Sequence, residues 1–250
     1  MPRTLKSRNG NQNIESIKRG NAMKVTFLGQ AGLLFETEKQ TIMIDPYLSD
    51  SVREMNPKNY RRVPVDEMFF DVRPDVMIFT HNHLDHYDPE TVKHFITPNT
   101  KMTVLAPASV WNEVRKIGGT NNYVLFNRHT EWTQGDVRFR AVKAEHSDTS
   151  AIGVLIHVGR KDDEKTYYIT GDTLYNEDIF ADIPENIDVV FLPVNGVGNN
   201  MNMVDAKFFC EQIRAKVAVP IHCGLFDEID MNAFGYESKV VPKIYEEIKL

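Results

Sequence analysis

From Met23 onward the chain is built of short apolar runs separated by turn residues. Residues 24–28, 33–37 and 41–44 are three such runs, the first two joined by Gly29-Gln30-Ala31-Gly32. Short strands linked by tight turns predict an antiparallel meander. Residues 49–74 carry Pro57, Pro64 and Pro74 and read as a long irregular loop; loops of that length are often lids or binding loops. The apolar run 75–79 predicts a strand. Asp88 as N-cap and Pro89 at the first helical position predict a helix to about Phe95. A strand over 101–105 and a helix over 107–117, stopped by Gly118-Gly119, follow. Polar and apolar positions alternate over 136–142, as in a half-buried strand. Residues 152–158 and 166–170 read as a hairpin across the charged turn 160–165. Residues 176–182 read as helical, 187–194 as a buried strand, 204–215 as an amphipathic helix and 216–219 as a strand. Residues 242–248 read as a closing helix, with Pro242 in its first turn. Strands that alternate with helices predict an α/β chain.

Residues 1–22 break this pattern. Arg3, Lys6, Arg8, Lys18 and Arg19 stand among asparagines, with too few apolar residues for a packed core. This segment is expected to be a disordered or loosely attached tail, and 23–250 a single domain. With 250 residues and 42% hydrophobic content the chain can bury one sizeable core. Its net charge of −6 lacks the basic excess of a nucleic-acid binder. No apolar run approaches the ~18 residues of a membrane span, and no secretory h-region opens the chain. Cys210 and Cys223 lack a CxxC spacing and read as reduced thiols, so the expected location is cytoplasmic.

Candidate chemistry gathers where the apolar runs end. Thr80-His81-Asn82-His83-Leu84-Asp85-His86 follows the strand at 75–79, and three of the chain's eight histidines fall in it. Such a concentration is not expected of an ordinary solvated loop. Imidazole and carboxylate suit first-row divalent metals. His81 and His83 are close enough to bite one ion; Asp85 and His86 reach a second. Three more strand ends carry His146, Asp172 after Gly171, and His222. Asp172 is expected between the two ions, one carboxylate oxygen toward each. An ion lowers the pKa of a bound water to ~7, so a hydroxide forms that can attack a carbonyl or phosphoryl centre. Asp85 is then placed to take a proton. Asp45, at the end of the run 41–44, is either a turn-former before Pro46 or a carboxylate that orients a ligand histidine. Cys223 is weighed as a soft ligand and set aside. His94, His129 and His157 have no ligand neighbours and read as structural.

The motif Thr-His-x-His-x-Asp-His, followed by His146, Gly171-Asp172 and His222, resembles the ligand pattern of the metallo-β-lactamase superfamily from about Met23 to the C-terminus. The resemblance implies a four-layer αββα sandwich. Within the superfamily, residues 28–32, Ile44-Asp45-Pro46, 76–88, residues 171–175 and 219–222 look like the L-ascorbate-6-phosphate lactonase group. That likeness implies opening of a sugar-acid lactone, an association with manganese and a homo-oligomer; the chain looks shorter than such lactonases after His222. Zinc, manganese and iron all suit the donor set. The expected partner is a small anionic substrate, with Lys58, Arg61 and Arg62 for its phosphate and Tyr175, Asn195, Asn199 and Asn200 lining the site. The same bimetal centre also suits a phosphodiesterase. A third reading is a regulatory protein that keeps metal without turnover; its mark, a missing ligand, is absent. RNA-processing relatives need an extra domain that this length cannot hold. Diiron oxygen reductases carry a carboxylate where this chain has His83. Glyoxalase-type thioesterases share the ligand set and match less well elsewhere.

Overall fold

The protein is described by a computed structural model covering residues 23–159, 163–184 and 187–250. The tail 1–22 and part of the turn at 160–165 lie outside the described residues.

The first sheet opens with the expected meander. β1 (Lys24–Gly29), β2 (Gly32–Glu36) and β3 (Thr41–Ile44) pair antiparallel. β4 (Val76–Ile78), β5 (Thr103–Ala106) and β6 (Asn122–Leu125) then add in parallel, so spatial order follows chain order. The second sheet is built from β7 (Glu131–Gln134), β8 (Val137–Lys143), β9 (Ile152–Val158), β10 (Lys165–Ile169), β11 (Val189–Pro193) and β12 (Val217–Ile221). Pairing is antiparallel from β7 to β10 and parallel from β10 to β12.

Most central strands are buried on both faces, and their two-residue period sorts side chains between layers. Along β9, Ile152, Val154, Ile156 and Val158 enter the core shared by the sheets, while Leu155 points the other way. β11 does the same with Val189 and Phe191 inward and Val190 and Leu192 outward. Phe35 of one sheet meets Tyr167 and Phe191 of the other edge-on, with ring centroids 6.0 and 5.7 Å apart. The outer face of the first sheet is covered by α2 (Pro89–Phe95) and α3 (Ala108–Val114) through Val92, Phe95, Val110 and Val114. That of the second is covered by α4 (Met203–Gln212) through Ala206, Phe209 and Cys210. Helix, sheet, sheet, helix is the expected αββα sandwich. Among the described residues no helix is long and apolar enough to cross a membrane.

The structure differs from the sequence expectations in several places. The loop 49–74 contains the short helix α1 (Ser51–Met55) and a 3-10 turn at Glu67–Asp71. β6 and β7 carry too little apolar alternation to be read as strands; each forms the edge of its sheet. Residues 176–182 form a 3-10 turn, Glu177–Ala181, rather than an α-helix. The predicted helix at 242–248 does not form. This segment runs irregularly along β1, with a turn closed by Glu246 N donating to Lys243 O at 3.1 Å, Tyr245 N donating to Phe27 O at 2.6 Å and Ile248 N to Val25 O at 2.8 Å. Ile244 and Ile248 are four apart, which suits a helix as well as two inward contacts of an irregular strand. The unpaired edge of β1 decides between them, because its backbone groups need partners.

Candidate metal centre

The ligand-type residues sit past the C-terminal ends of four strands on one rim of the sandwich. His81, His83, Asp85 and His86 follow β4; His146 follows β8, Asp172 follows β10 and His222 follows β12. Local structure fixes the histidine loop from both sides. His86 N and Tyr87 N both donate to His83 O, at 3.0 and 2.8 Å, closing a tight turn. Asp88 then caps α2 by accepting from Glu90 N at 3.1 Å and Thr91 N at 3.0 Å. From the other sheet, Ile152 N donates to Thr80 O at 3.0 Å, and Asp148 accepts from Asn82 N at 3.1 Å.

Gly171 brings the second sheet close. Its φ is +61°, and a Cβ there would stand 2.7 Å from Ile152 O and 3.0 Å from the Thr80 Cβ. Only glycine fits, and Asp172 is delivered directly against the histidines. His222 also adopts a left-handed backbone, φ 66°, and its N–H donates to Gln30 O at 2.7 Å.

Each of the five histidines has one ring nitrogen beside a protein group and the other beside the cluster. Nδ1 of His81 meets Thr80 Oγ1 at 3.1 Å, Nδ1 of His86 meets Asp45 Oδ2 at 2.8 Å, and Nδ1 of His146 donates to Asn199 O at 3.2 Å. His83 Nε2 meets Ser147 Oγ at 3.3 Å, and His222 Nδ1 meets the Asn195 amide at 3.0 Å. The remaining nitrogens face one another: His86 Nε2 and His222 Nε2 are 3.2 Å apart, as are His146 Nε2 and His83 Nδ1. Asp172 spans the middle, with Oδ1 3.2 Å from His86 Nε2 and Oδ2 3.2 Å from His222 Nε2. Asp85 Oδ2 lies 3.3 Å from His222 Nε2.

Three overlapping sets bring one donor atom from each member within 4.8 Å of the others: His81, His83 and His146; His81, His86 and Asp172; Asp85, His86 and His222. The donors fit divalent cations. His81 Nε2 is buried and has no hydrogen-bond partner, an arrangement that buried polar atoms rarely keep without a ligand. Nitrogen and carboxylate donors with orienting groups behind them are the usual construction of a metal site.

Burial and the neighbouring charges act on these rings in opposite senses. Burial opposes charge on His86, but Asp172, Asp85 and Asp45 outweigh it and hold this imidazole well above its ordinary value. Burial is likewise outweighed by Asp172 and Asp85 at His222, which is pushed up to about 9. His81 goes the other way: burial and the neighbouring His86 hold it well below the usual range. Burial would raise the Asp85 and Asp172 carboxyls, yet His86 and His222 keep both ionised far into acid.

A cleft of about 300 Å³ opens beside the cluster and is lined by Asp85, Asp172 and His222. Asn195 and Asn200 line it as the sequence suggests; Asn200 also fixes Asp172 by donating to Oδ2 at 2.8 Å. Lys58 and Asn199 do not line it, and three further expected substrate contacts are placed elsewhere. Arg61 is turned inward, with its guanidinium donating to Tyr47 O at 2.7 Å, Val63 O at 3.2 Å and Tyr245 Oη at 2.5 Å. Arg62 pairs with Glu228 at 2.7 Å. Tyr175 packs on Phe180, Phe208 and Phe209 in the outer layer. None of the three lines the cleft. Cys223 is buried in that outer layer, its thiol pushed up to about 12 by burial, and belongs to none of the donor sets.

Gln30 went unnoticed as a site residue in the sequence. Its amide donates to Asp85 Oδ2 at 2.8 Å and lies 3.1 Å from the His222 ring. Its signal was the Gly29-Gln30-Ala31-Gly32 turn, which puts a polar residue at φ 52° on the rim.

The αββα sandwich with a metal-capable His/Asp cluster on one rim defines a metallo-β-lactamase fold. The chain belongs to the β-lactamase superfamily: residues 24–222 match the family described as "Beta-lactamase superfamily domain". A UPF0173 metal-dependent hydrolase of Staphylococcus carnosus (strain TM300) is 27% identical over 228 residues, spanning 87% of this chain and 93% of the relative. The crystal structure of a possible metal-dependent hydrolase from Veillonella parvula superposes with a TM-score of 0.71 at 18% identity, covering 92% of this chain and 100% of that one. An isothiocyanate hydrolase from Delia radicum gut bacteria gives 0.70 at 18% identity, covering 91% and 99%. At that identity the likeness to the two solved structures is one of fold.

Proposed function

We propose that the protein is a metal-dependent hydrolase that adds water to a carboxylic ester or lactone. The observation that carries this reading is the set of five histidines, each held at one ring nitrogen and directed at the cluster by the other, beside an open cleft. His81, His83 and His146 would hold one divalent ion, and Asp85, His86 and His222 a second, with Asp172 between them. Zinc and manganese, or iron, suit these donors. Bound there, such ions supply Lewis acidity, which polarises the scissile group and lowers the pKa of water to ~7.

The chain's own residues do the rest. Asp85 lines the cleft, fixed at Oδ2 by Gln30, and accepts the proton that the attacking water gives up. The water oxygen bonds to the carbonyl carbon, the bond from that carbon to the alcohol oxygen breaks, and the proton passes to the departing oxygen. Asn195 and Asn200 keep His222 and Asp172 in register during this exchange.

The lactonase reading rests on the resemblance of the turn at 28–32, of Asp45-Pro46 and of the residues around Asp172. Its phosphate-binding half has less support, because Arg61 and Arg62 are engaged elsewhere. A phosphodiester would meet no lysine or arginine among the described residues that line the cleft. The test is reconstitution. Protein stripped by chelation and reloaded separately with manganese and zinc is assayed against simple esters and lactones, L-ascorbate 6-phosphate and a phosphodiester. Turnover of an ester or lactone that returns with metal and is lost in His83→Ala is the expected result. Metal uptake with no turnover of any of them would overturn the reading.

A further inference from the structure

The cleft beside Asp85 and His222 is also lined by the apolar side chains of Val52, Val197, Phe226 and Ile229 and by the carboxamides of Gln30, Asn59, Asn195 and Asn200. Among the described residues lining it there is no lysine or arginine. Its only charged side chain outside the cluster is Asp227, a carboxylate that accepts from Gly224 N at 2.9 Å and Ile229 N at 3.0 Å.

A second groove, of about 400 Å³, lies beside His146 on the same rim and does contain Arg128 and Lys143. Both charges are already matched. Arg128 makes two bonds to Asp182, at 2.6 and 2.9 Å, and Lys143 lies 3.2 Å from Glu145 and 3.4 Å from Asp178. Arg61 and Arg62 are committed as described above. Lys58 is exposed and lines neither hollow. Asp45, Asp85 and Asp172 offset most of the charge that two divalent ions would bring. An anionic group that leaves water for this cleft would lose its hydration and, away from the ions, meet no lysine or arginine among the described lining residues. A neutral group with an apolar flank would lose little and gain the apolar wall.

We propose that the substrate is an uncharged, compact acyl compound, a neutral ester or lactone, with an apolar part against Val52, Val197, Phe226 and Ile229. This rests on the hydrolase reading and narrows it. It stands as an alternative to the small anionic substrate expected from the sequence.

The test uses two esters that differ in one charge, 3-(methoxycarbonyl)phenyl butyrate and 3-carboxyphenyl butyrate, with the metal-loaded protein. A kcat/KM about tenfold or more higher for the neutral ester is expected. Asn59→Lys, which adds a cation to the cleft wall, should narrow that gap at least about threefold. Calorimetric binding of the two corresponding butyramides to the same protein separates the two readings. If neither ester is turned over but the neutral amide binds the tighter, the hydrolase reading fails and the charge selection stands. Equal or better turnover of the anionic ester overturns the inference. Tighter binding of the anionic amide does so too, as does failure of both amides to bind.

Discussion

Asp45 Oδ2 lies 2.8 Å from His86 Nδ1, and both side chains are fully buried. The same carboxylate accepts from Thr80 N at 2.8 Å, so one residue at the end of β3 fixes both the entry to the histidine loop and a ring within it. The two sequence readings of Asp45 meet here: it does sit in a strained turn, φ 42°, and it also orients a ligand-type histidine. Asp45→Ala is expected to weaken metal binding about 10–100-fold, the usual effect of removing an orienting carboxylate. Titration of the stripped variant with zinc against a competing chelator measures this. Asp45→Asn, which keeps an acceptor for Thr80 N, should lose less stability than Asp45→Ala.

His83 occurs in only one of the three donor sets. His83→Ala should lower the metal content from about two ions per chain to about one, measured by elemental analysis after gel filtration. The fold should persist, because the His83 side chain is only half-buried on the rim. Unchanged stoichiometry would show that the ions are held by a different subset of the seven residues.

Gly171→Ala tests how Asp172 is delivered. The added methyl would stand 2.7 Å from Ile152 O on a backbone with φ +61°. A loss of about 1–3 kcal/mol in folding stability is expected from the strained backbone and close contact. Urea denaturation measures it. Metal affinity should fall in the same variant, since Asp172 cannot keep its place if residue 171 moves. A drop in stability with metal affinity intact would separate the turn from the cluster.

Asp182 gives a pH dependence away from the metal centre. Burial would raise its carboxyl, but Arg128, His129 and the Lys143 N–H outweigh burial and hold it below the ordinary carboxylate range. The folded value is therefore below the unfolded one, so the unfolded chain binds the proton more readily. The stabilisation is present above about pH 4 and is lost as pH falls through the folded value. Asp182→Asn should lower stability by about 1–3 kcal/mol near neutrality. The gap from the unsubstituted protein should close in acid. Melting curves between about pH 7 and about pH 2 measure the convergence.

Much of this arrangement was legible because ligands and strands share one signal. Val76 to Phe79 are apolar and the run stops at Thr80-His81, and the same cadence of run, stop and donor recurs before His146, Asp172 and His222. A donor at a strand end can be placed without knowing how the strands pair. What depends on pairing was less visible. β6 and β7 sit at sheet edges with half-exposed side chains, so their sequences lack the apolar alternation that marks a buried strand. The segment after Pro242 has helix-compatible spacing and instead follows the open edge of β1 through an irregular turn. Arg61 and Arg62 looked like phosphate ligands since two adjacent cations in a loop carry no sign of the acceptors that fold back on them. Tyr47 O, Tyr245 Oη and Glu228 come from distant parts of the chain. Gln30 was missed for the same reason: its partners Asp85 and His222 lie 55 and 192 positions away.

His81, His83, Asp85 and His86 follow a strand of one sheet, whereas His146, Asp172 and His222 follow strands of the other. Cations held among them would therefore clasp the two halves of the sandwich together along one rim. An ion that binds the folded chain and ignores the unfolded one adds about 4 kcal/mol of stability when its free concentration is about a thousand times its Kd. That is comparable to the whole margin of many domains. Metal supply would then govern how long a molecule survives unfolding and proteolysis, and so how much of the protein a cell contains, before it governs how fast each molecule works.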